Sequence, residues 1–401
     1  VATVDARSPD GWPRFSTETV PWESADAGYG PRAARRAHVG PYEAAVPPTI
    51  ADAPVHLPSA TTALVAEASA EVARFDGETH AATTSFAALL LRTEAASSSQ
   101  IENLTSSPRA VALAELGRRG RANADEIVAN VAAMTQALQV ADRLDGAAVL
   151  AMHRALMIGH MPGDAGRWRD QQVWIGGGSR SPHGAAYVAP VHGRVPDAVD
   201  DLTAFMARDD VPLLAQAALT HAHFEAIHPF PDGNGRTGRA LLHAQLRHGG
   251  LTREAIVPVS AGLLADTDRY FQALTAYRDG DVEPIVTEVA QAVFPALASS
   301  RRLIGDVTEA RAAWGERIRA RRGAAAWALA DLVTTRPVVD ARLAAEHLGV
   351  STVNAQLAID RLVEAGVLEQ IGHGSRDRVW QAGDVLAAME RFADRSHRRT
   401  W

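Results

Sequence analysis

Cysteine is missing from all 401 residues, and so is lysine, since the 40 basic side chains are all arginine. The first absence excludes disulfides, thiolate zinc sites and a cysteine nucleophile. The second removes a phosphate-gripping Walker lysine, a Schiff-base lysine and a serine-lysine dyad. No stretch of about 18 apolar residues occurs, and no charged start is followed by an apolar leader. The expectation is therefore a soluble cytoplasmic protein with no membrane partner. A net charge of -7 leaves no electrostatic footprint for nucleic acid. The length is enough for a sizeable core and two or three domains.

Against these absences, residues 228 to 239 read His-Pro-Phe-Pro-Asp-Gly-Asn-Gly-Arg-Thr-Gly-Arg. An apolar helix should begin just after this loop, with Ala240, Leu241, Leu242 and Leu246 on its buried face. The backbone amides of Asn234, Gly235 and Arg236 then form a helix start, which is a natural seat for an anion. Gly233 and Gly235 let the chain turn and approach an oxygen-rich ligand without a Cβ in the way. Arg236 and Arg239, three apart, share one helix face and suit a polyphosphate. Asp232 is a hard oxygen ligand of the kind that shares Mg2+ with a nucleotide. His228 titrates near neutrality and can accept a hydroxyl proton. Phe230 reads as the apolar peg of the loop. His221 and His223 lie close by, but no His-Glu-x-x-His pattern forms, so no zinc site is expected.

The string resembles the signature of the Fic (filamentation induced by cAMP) family, His-x-Phe-x-[Asp/Glu]-Gly-Asn-Gly-Arg-x-x-Arg, at every specified position. Ala222 to Ile227 look like the family's helix into that motif. The resemblance implies ATP as substrate and transfer of AMP to a hydroxyl of a target protein, or of the protein itself, with pyrophosphate released. His228 would be the base and Asp232 the Mg2+ ligand. Gly233, Asn234 and Gly235 would receive phosphate oxygens, and Arg236 and Arg239 would neutralise charge along the triphosphate. Such transfers depend mainly on positioning and electrostatics.

Upstream, Ser98 to Glu102 and Asn103 resemble the family's inhibitory helix pattern, [Ser/Thr]-x-x-x-Glu-[Gly/Asn]. By that resemblance Glu102 pairs with Arg239, takes the seat of the γ-phosphate and holds the resting enzyme weakly active, as in the subclass with an N-terminal inhibitor. Between the two motifs, Val173-Trp174-Ile175 and Tyr187-Val188 read as two short strands around a loop of Gly, Ser and Pro. The family has a flap there that docks the target backbone by strand addition. The family also implies dimerisation through the helical core.

The fold class expected is mainly α: a Fic-type helical bundle with one β-hairpin flap, plus a C-terminal winged helix-turn-helix domain. Residues 1-58, rich in Pro and Gly, should form an irregular N-terminal arm. Residues 59-122 should be helical and include the inhibitory helix, and 123-283 the catalytic core. A connecting helix over 284-323 is expected to break near Pro295. The module at 324-401 shows a helix, a shorter helix, a turn, a helix capped by Ser351, and a strand-turn-strand around Gly372-His373-Gly374. Asn354, Gln356 and Arg361 could touch bases, yet the module has nine arginines against ten acidic residues. Protein docking, plain scaffolding and DNA binding all stay open for it. Other readings of the catalytic part are removal of AMP, with Glu102 orienting a water, and transfer of another phosphate-containing group. A DNA-associated regulator is the reading from a different class.

Overall fold

A computed structural model describes residues 11-22, 40-80, 86-118, 122-178, 180-253, 255-372 and 377-397. His373, Gly374 and Arg376 of the expected C-terminal turn, and Pro9, Gly28, Gly30 and Pro31 of the expected arm, lie outside them. The chain divides into two compact units, residues 1-69, 133-251 and 268-290 in the first and 70-132, 252-267 and 291-401 in the second. Among the described residues, no helix is long and apolar enough to cross a membrane.

The first unit is built on helices α5 (Gly146–Met157), α6 (Val195–Met206), α7 (Leu213–Ile227) and α8 (Asn234–His248). Helix α7 buries nearly every side chain, so it has no polar face and serves as the unit's central strut. Gly238 brings α8 close to it, for a Cβ there would sit 2.9 Å from Phe224 Cδ1 and 3.0 Å from His221 Nδ1. The second strut is α10 (Thr267–Arg278), whose buried Tyr270 and Tyr277 hydroxyls lie 2.7 and 2.9 Å from His221 Nε2 and His223 Nδ1. Strands β1 (Ser16–Val20) and β2 (Tyr42–Val46) pair antiparallel with Thr17 opposite Ala45. The expected irregular arm therefore contains a small sheet. Turn formers dominate its composition, but Thr17, Thr19, Val20 and Tyr42 favour extended backbone, and Trp12, Tyr42, Ala44 and Ile50 bury against the unit. A second hairpin pairs β3 (Trp174–Ile175) with β4 (Tyr187–Val188).

In the second unit, α2 (Ala87–Ile101) runs to α3 (Pro108–Glu115), which Ser107 caps through Ala110 N. The buried Glu94 carboxylate accepts Ser260 N and Ser260 Oγ, tying α2 to the short α9 (Val259–Leu263). Helices α1 (Ser59–His80), α4 (Ala122–Gln139) and α11 (Glu283–Arg317) each contribute residues to both units. The break expected at Pro295 does not occur: α11 is continuous over 35 residues with the proline inside it. Proline removes one N–H and costs about 3 kcal/mol in a helix interior. Val289, Ala290, Val293, Ala296 and Leu297 are all buried around it, and burial of that many side chains exceeds the loss.

The C-terminal segment runs α12 (Ala325–Thr335), β5 (Val338–Asp340), α13 (Ala341–Leu348), α14 (Thr352–Glu364), β6 (Glu369–Ile371), β7 (Val379–Gln381) and α15 (Gly383–His397). Its sheet has the order β5-β7-β6, antiparallel throughout. Ser351 caps α14 by accepting Asn354 N at 3.3 Å, and Gly349 ends α13 in the left-handed region at φ 63°. The core of this segment is continuous with the rest of the second unit. Leu329, Ile359, Trp380 and Phe392 share one apolar cluster with Phe86, Leu89, Leu303 and Trp314 of the same unit.

Candidate active site

Helix α7 ends because Pro229 follows His228, and a residue before proline is pushed out of the right-handed helical region. His228 instead takes the left-handed conformation, φ 51° and ψ 60°, with its N–H still donating to Phe224 O at 3.0 Å. A side chain held there costs on the order of 1–3 kcal/mol unless its surroundings enforce it. They do. Arg169 donates from Nε to His228 O at 2.8 Å, from Nη1 to Gln171 O at 2.9 Å and from Nη2 to Pro190 O at 2.5 Å, while its own N–H donates to Pro229 O. One buried guanidinium thus fastens the loop and the stem of the β3–β4 hairpin together. Burial lowers its pKa to about 10, still far above neutrality, so it remains a cation. The Nδ1 of His228 lies 3.2 Å from Glu225 O. A carbonyl can only accept, so Nδ1 carries the proton and Nε2 is the basic nitrogen.

The loop that follows is closed by Asn234. Its Oδ1 accepts Phe230 N and its Nδ2 donates to Phe230 O, both at 2.9 Å. The side chain of Asn234 is therefore a brace, while its backbone N–H belongs to the first turn of α8. Phe230 is fully buried and stacks on His153 with ring centroids 3.6 Å apart, and Trp168 lies beyond at 5.2 Å. His153 accepts Gly166 N at Nδ1, so its Nε2 bears the proton and donates to Asp232 O at 3.2 Å. Burial pushes the pKa of His153 down to about 4, which keeps that tautomer neutral.

Helix α8 begins at Gly233, left-handed at φ 76°, with no side chain to cap the first amides. A Cβ there would come within 2.9 Å of Leu156 Cδ2 and 3.2 Å of Met157 Sδ, so both shape and conformation require glycine. Asp232 accepts Gly233 N through Oδ1 at 2.6 Å and is half exposed; its Oδ2 stands 3.7 Å from Arg236 Nη2. Arg236 and Arg239, in the first two turns of α8, are 4% and 2% exposed, so their positive charge is poorly solvated. Uncapped amides and the helix dipole at such a start can hold anionic oxygens, and a nearby arginine adds to the attraction. His228, Asp232, Gly233, Asn234, Gly235 and Arg236 lie in this loop and the first turn of α8, and Arg239 follows in its second turn.

At the hairpin, Ala186 N donates to Ile175 O and Ala189 N to Val173 O, so the ladder runs one residue beyond Trp174 on the Val173 side. Tyr187 anchors it by donating to Ala226 O at 2.6 Å, under the Arg278 guanidinium 4.1 Å away. Ile175 is 45% exposed. His183 is engaged by Ser181 and Gly40 O, and His192 is exposed. His221 and His223 are core residues bonded to tyrosines, and burial lowers each pKa to about 3. In the second unit, Ser98 is fully buried, Glu102 caps α2 and is exposed, and Asn103 takes the left-handed position at φ 61°. The Asn of the sequence pattern thus meets a backbone need, since Gly and Asn best tolerate a helix-ending left-handed residue.

Three residues of the site were not singled out by sequence. Arg169 and His153 lie 59 and 79 positions from their loop partners, and Gly238 has only the helix spacing to mark it. The one signal for Arg169 was a charged residue between aromatic and turn-forming neighbours.

Residues 143–246 match the Fic/DOC family and residues 62–139 match the Fic/DOC family N-terminal region. The chain is 32% identical over 157 residues to "Protein adenylyltransferase fic-1" of Caenorhabditis briggsae, a match covering 39% of this chain and 28% of that one. It is 30% identical over 153 residues to "Protein adenylyltransferase Fic" of Drosophila erecta, covering 35% of this chain and 26% of that one. The matched region thus spans less than a third of the length of these relatives. The crystal structure of a Fic family protein from Desulfovibrio desulfuricans G20 superposes with a TM-score of 0.53 at 23% identity over 82% of this chain and 97% of that one. That likeness is one of fold.

Proposed function

We propose that this chain, a Fic/DOC family protein with the family's N-terminal domain, transfers AMP from ATP to a hydroxyl side chain of a protein, itself included. The observation that carries the reading is the segment 228–239: a histidine with its proton held on Nδ1 is followed by an uncapped helix start whose first two turns carry two buried arginines. The similarity to the two relatives named above, both protein adenylyltransferases, supports the same donor.

In this mechanism the first amides of α8, at Asn234, Gly235 and Arg236, receive phosphate oxygens. Arg236 and Arg239 lower the cost of gathering negative charge there. Nε2 of His228 accepts the proton of the incoming hydroxyl as its oxygen bonds to the α-phosphorus and the bond to the departing pyrophosphate breaks. Asp232 fits an Mg2+ ion shared with the nucleotide: one half-exposed carboxylate at the anion seat, with no group of three His, Cys, Asp or Glu among the described residues that could hold an ion alone. Mg2+ supplies charge neutralisation on the phosphates when bound. The β3–β4 hairpin, with Val173, Trp174, Ile175, Tyr187 and Val188, is the docking edge for an extended target segment.

Glu102, ending α2, acts as the inhibitory group in this reading, and dimerisation through the helical core accompanies it. The reverse reaction and a different phosphate-containing donor use the same turn, so the donor is the point to test. Self-labelling with α-labelled ATP should rise in Glu102→Gly and vanish in Glu102→Gly with His228→Ala. Labelling by another nucleotide but not by ATP would overturn the donor assignment.

We read the segment from α12 to β7 as a winged helix-turn-helix, with α14 in the recognition position, a reading its order of elements supports. Its exposed face favours a protein over DNA. Val353 and Leu357 are 70% and 56% exposed, and Gln356 is spent on Asp360 at 2.7 Å.

A further inference from the structure

A cavity of about 300 Å3 lies within the second unit, walled by α2, the turn after it, α3, α4 and α15. That is the lower end of the range in which small molecules are held. One wall is apolar, made by Val111, Ile127, Met389 and Phe392. The other is rich in donors: hydroxyl side chains and Arg92 line it, and no carboxylate does. Arg92 is 8% exposed. Its Nε donates to Glu115 Oε1 at 2.7 Å and its Nη1 to Ala88 O and Thr335 O, so Nη2 takes no part in these bonds. In the same lining, Ser106 Oγ is buried with no hydrogen-bond partner. A buried hydroxyl left without a partner is costly and rare. Glu115 pairs with Arg92 Nε from outside the lining, yet Arg92 and the unanswered Ser106 hydroxyl meet no acid within the cavity, so they call for an acceptor there, and the apolar side chains call for hydrocarbon.

We infer that this cavity binds a small amphiphilic monoanion, a carboxylate on an apolar chain, with its head on Arg92 Nη2 and Ser106 Oγ and its tail against Met389, Phe392, Val111 and Ile127. The same helix, α2, supplies Arg92 to the wall and ends at Glu102. Resting on the inhibitory reading of Glu102, occupancy of the cavity changes labelling by the wild type and leaves Glu102→Gly unaffected.

Calorimetric titration of the whole chain with sodium decanoate, kept below its micelle range, tests the site without reference to catalysis. Saturable binding of one decanoate is expected, with none of decyltrimethylammonium, which has the same tail and the opposite charge. Arg92→Met should weaken decanoate at least tenfold through loss of a charge-assisted bond. Ala393→Trp fills the cavity from α15 without touching Arg92, and should abolish binding while the protein melts as the wild type does. Equal binding of the two amphiphiles, or undiminished binding by a well-folded Ala393→Trp, overturns the site. If decanoate binds as expected yet leaves wild-type self-labelling unchanged, the coupling to Glu102 falls while the AMP-transfer reading stands on its own test.

Discussion

Three buried histidines of the first unit should make the protein sensitive to mild acid. Burial lowers His153 to about 4 and His221 and His223 to about 3, and none of the three faces a carboxylate side chain in its hydrogen bonds. Unfolded, each imidazole takes a proton below about pH 6.5. Folded, each stays neutral until the pH approaches its lowered value, so through that window the unfolded chain binds more protons. Stability from these groups is full above about pH 6.5 and is lost as the pH falls toward 4. Between pH 7 and pH 5 the linkage amounts to about 2 kcal/mol for each histidine, or roughly 5–6 kcal/mol together. That is comparable with the whole stability of an ordinary domain. Urea unfolding at pH 7, 6 and 5 measures the loss directly. His223→Gln keeps a polar partner for Tyr277 but cannot titrate, so it should lower stability at pH 7 and remove about a third of the acid dependence. An unfolding free energy that changes by less than about 1 kcal/mol from pH 7 to 5 would refute the reasoning, as would a His223→Gln variant with the wild-type slope.

Arg169→Met removes the donors of three carbonyls around His228 and should cost about 3–5 kcal/mol, lowering the melting temperature by on the order of 10 °C in a thermal scan. Arg169→Lys, with one compact ammonium, should recover only part of that loss. Asn234→Asp keeps the acceptor for Phe230 N but places a negative charge at the start of α8. Self-labelling should fall at least tenfold in Asn234→Asp, with apparent KM for ATP raised more than kcat is lowered. In Gly262→Ala the new methyl would overlap the Ala292 backbone, which cannot give way as a side chain can, and a loss of about 2–3 kcal/mol in urea unfolding is expected. Gly305→Ala in α11 meets nothing within 4 Å and should instead stabilise by about 0.5–1 kcal/mol.

Much of the helical layout was legible because burial on one face imposes a 3.6-residue period, and the caps were spelled out by Ser351 and Gly349. What escaped was decided by partners distant in sequence. Strand β5 is three residues long, too short for any alternation to register, and exists because β7 pairs with it. Strands β1 and β2 hide in a Pro- and Gly-rich segment whose pairing partners are 22 to 30 positions apart. Pro295 marks a helix break in an isolated peptide; inside α11 the neighbouring burial outweighs one missing hydrogen bond.

The motif at 228–239 shows why the site was easier to read than its support. Its letters are of two kinds. His228, Asp232, Arg236 and Arg239 carry charge or a lone pair, whereas Phe230, Gly233 and Asn234 hold the backbone in shape through packing, a left-handed turn and a paired amide. A sequence pattern records both kinds equally, because each is confined to one residue type at one spacing. Arg169 satisfies a need of the second kind from 59 residues away, and any chain segment able to bring a guanidinium to those carbonyls would serve. Its place is set by the fold and leaves no spacing to read. The strained His228 backbone is the reason such a residue is required, so Arg169 is the position where loss of shape and loss of chemistry should coincide.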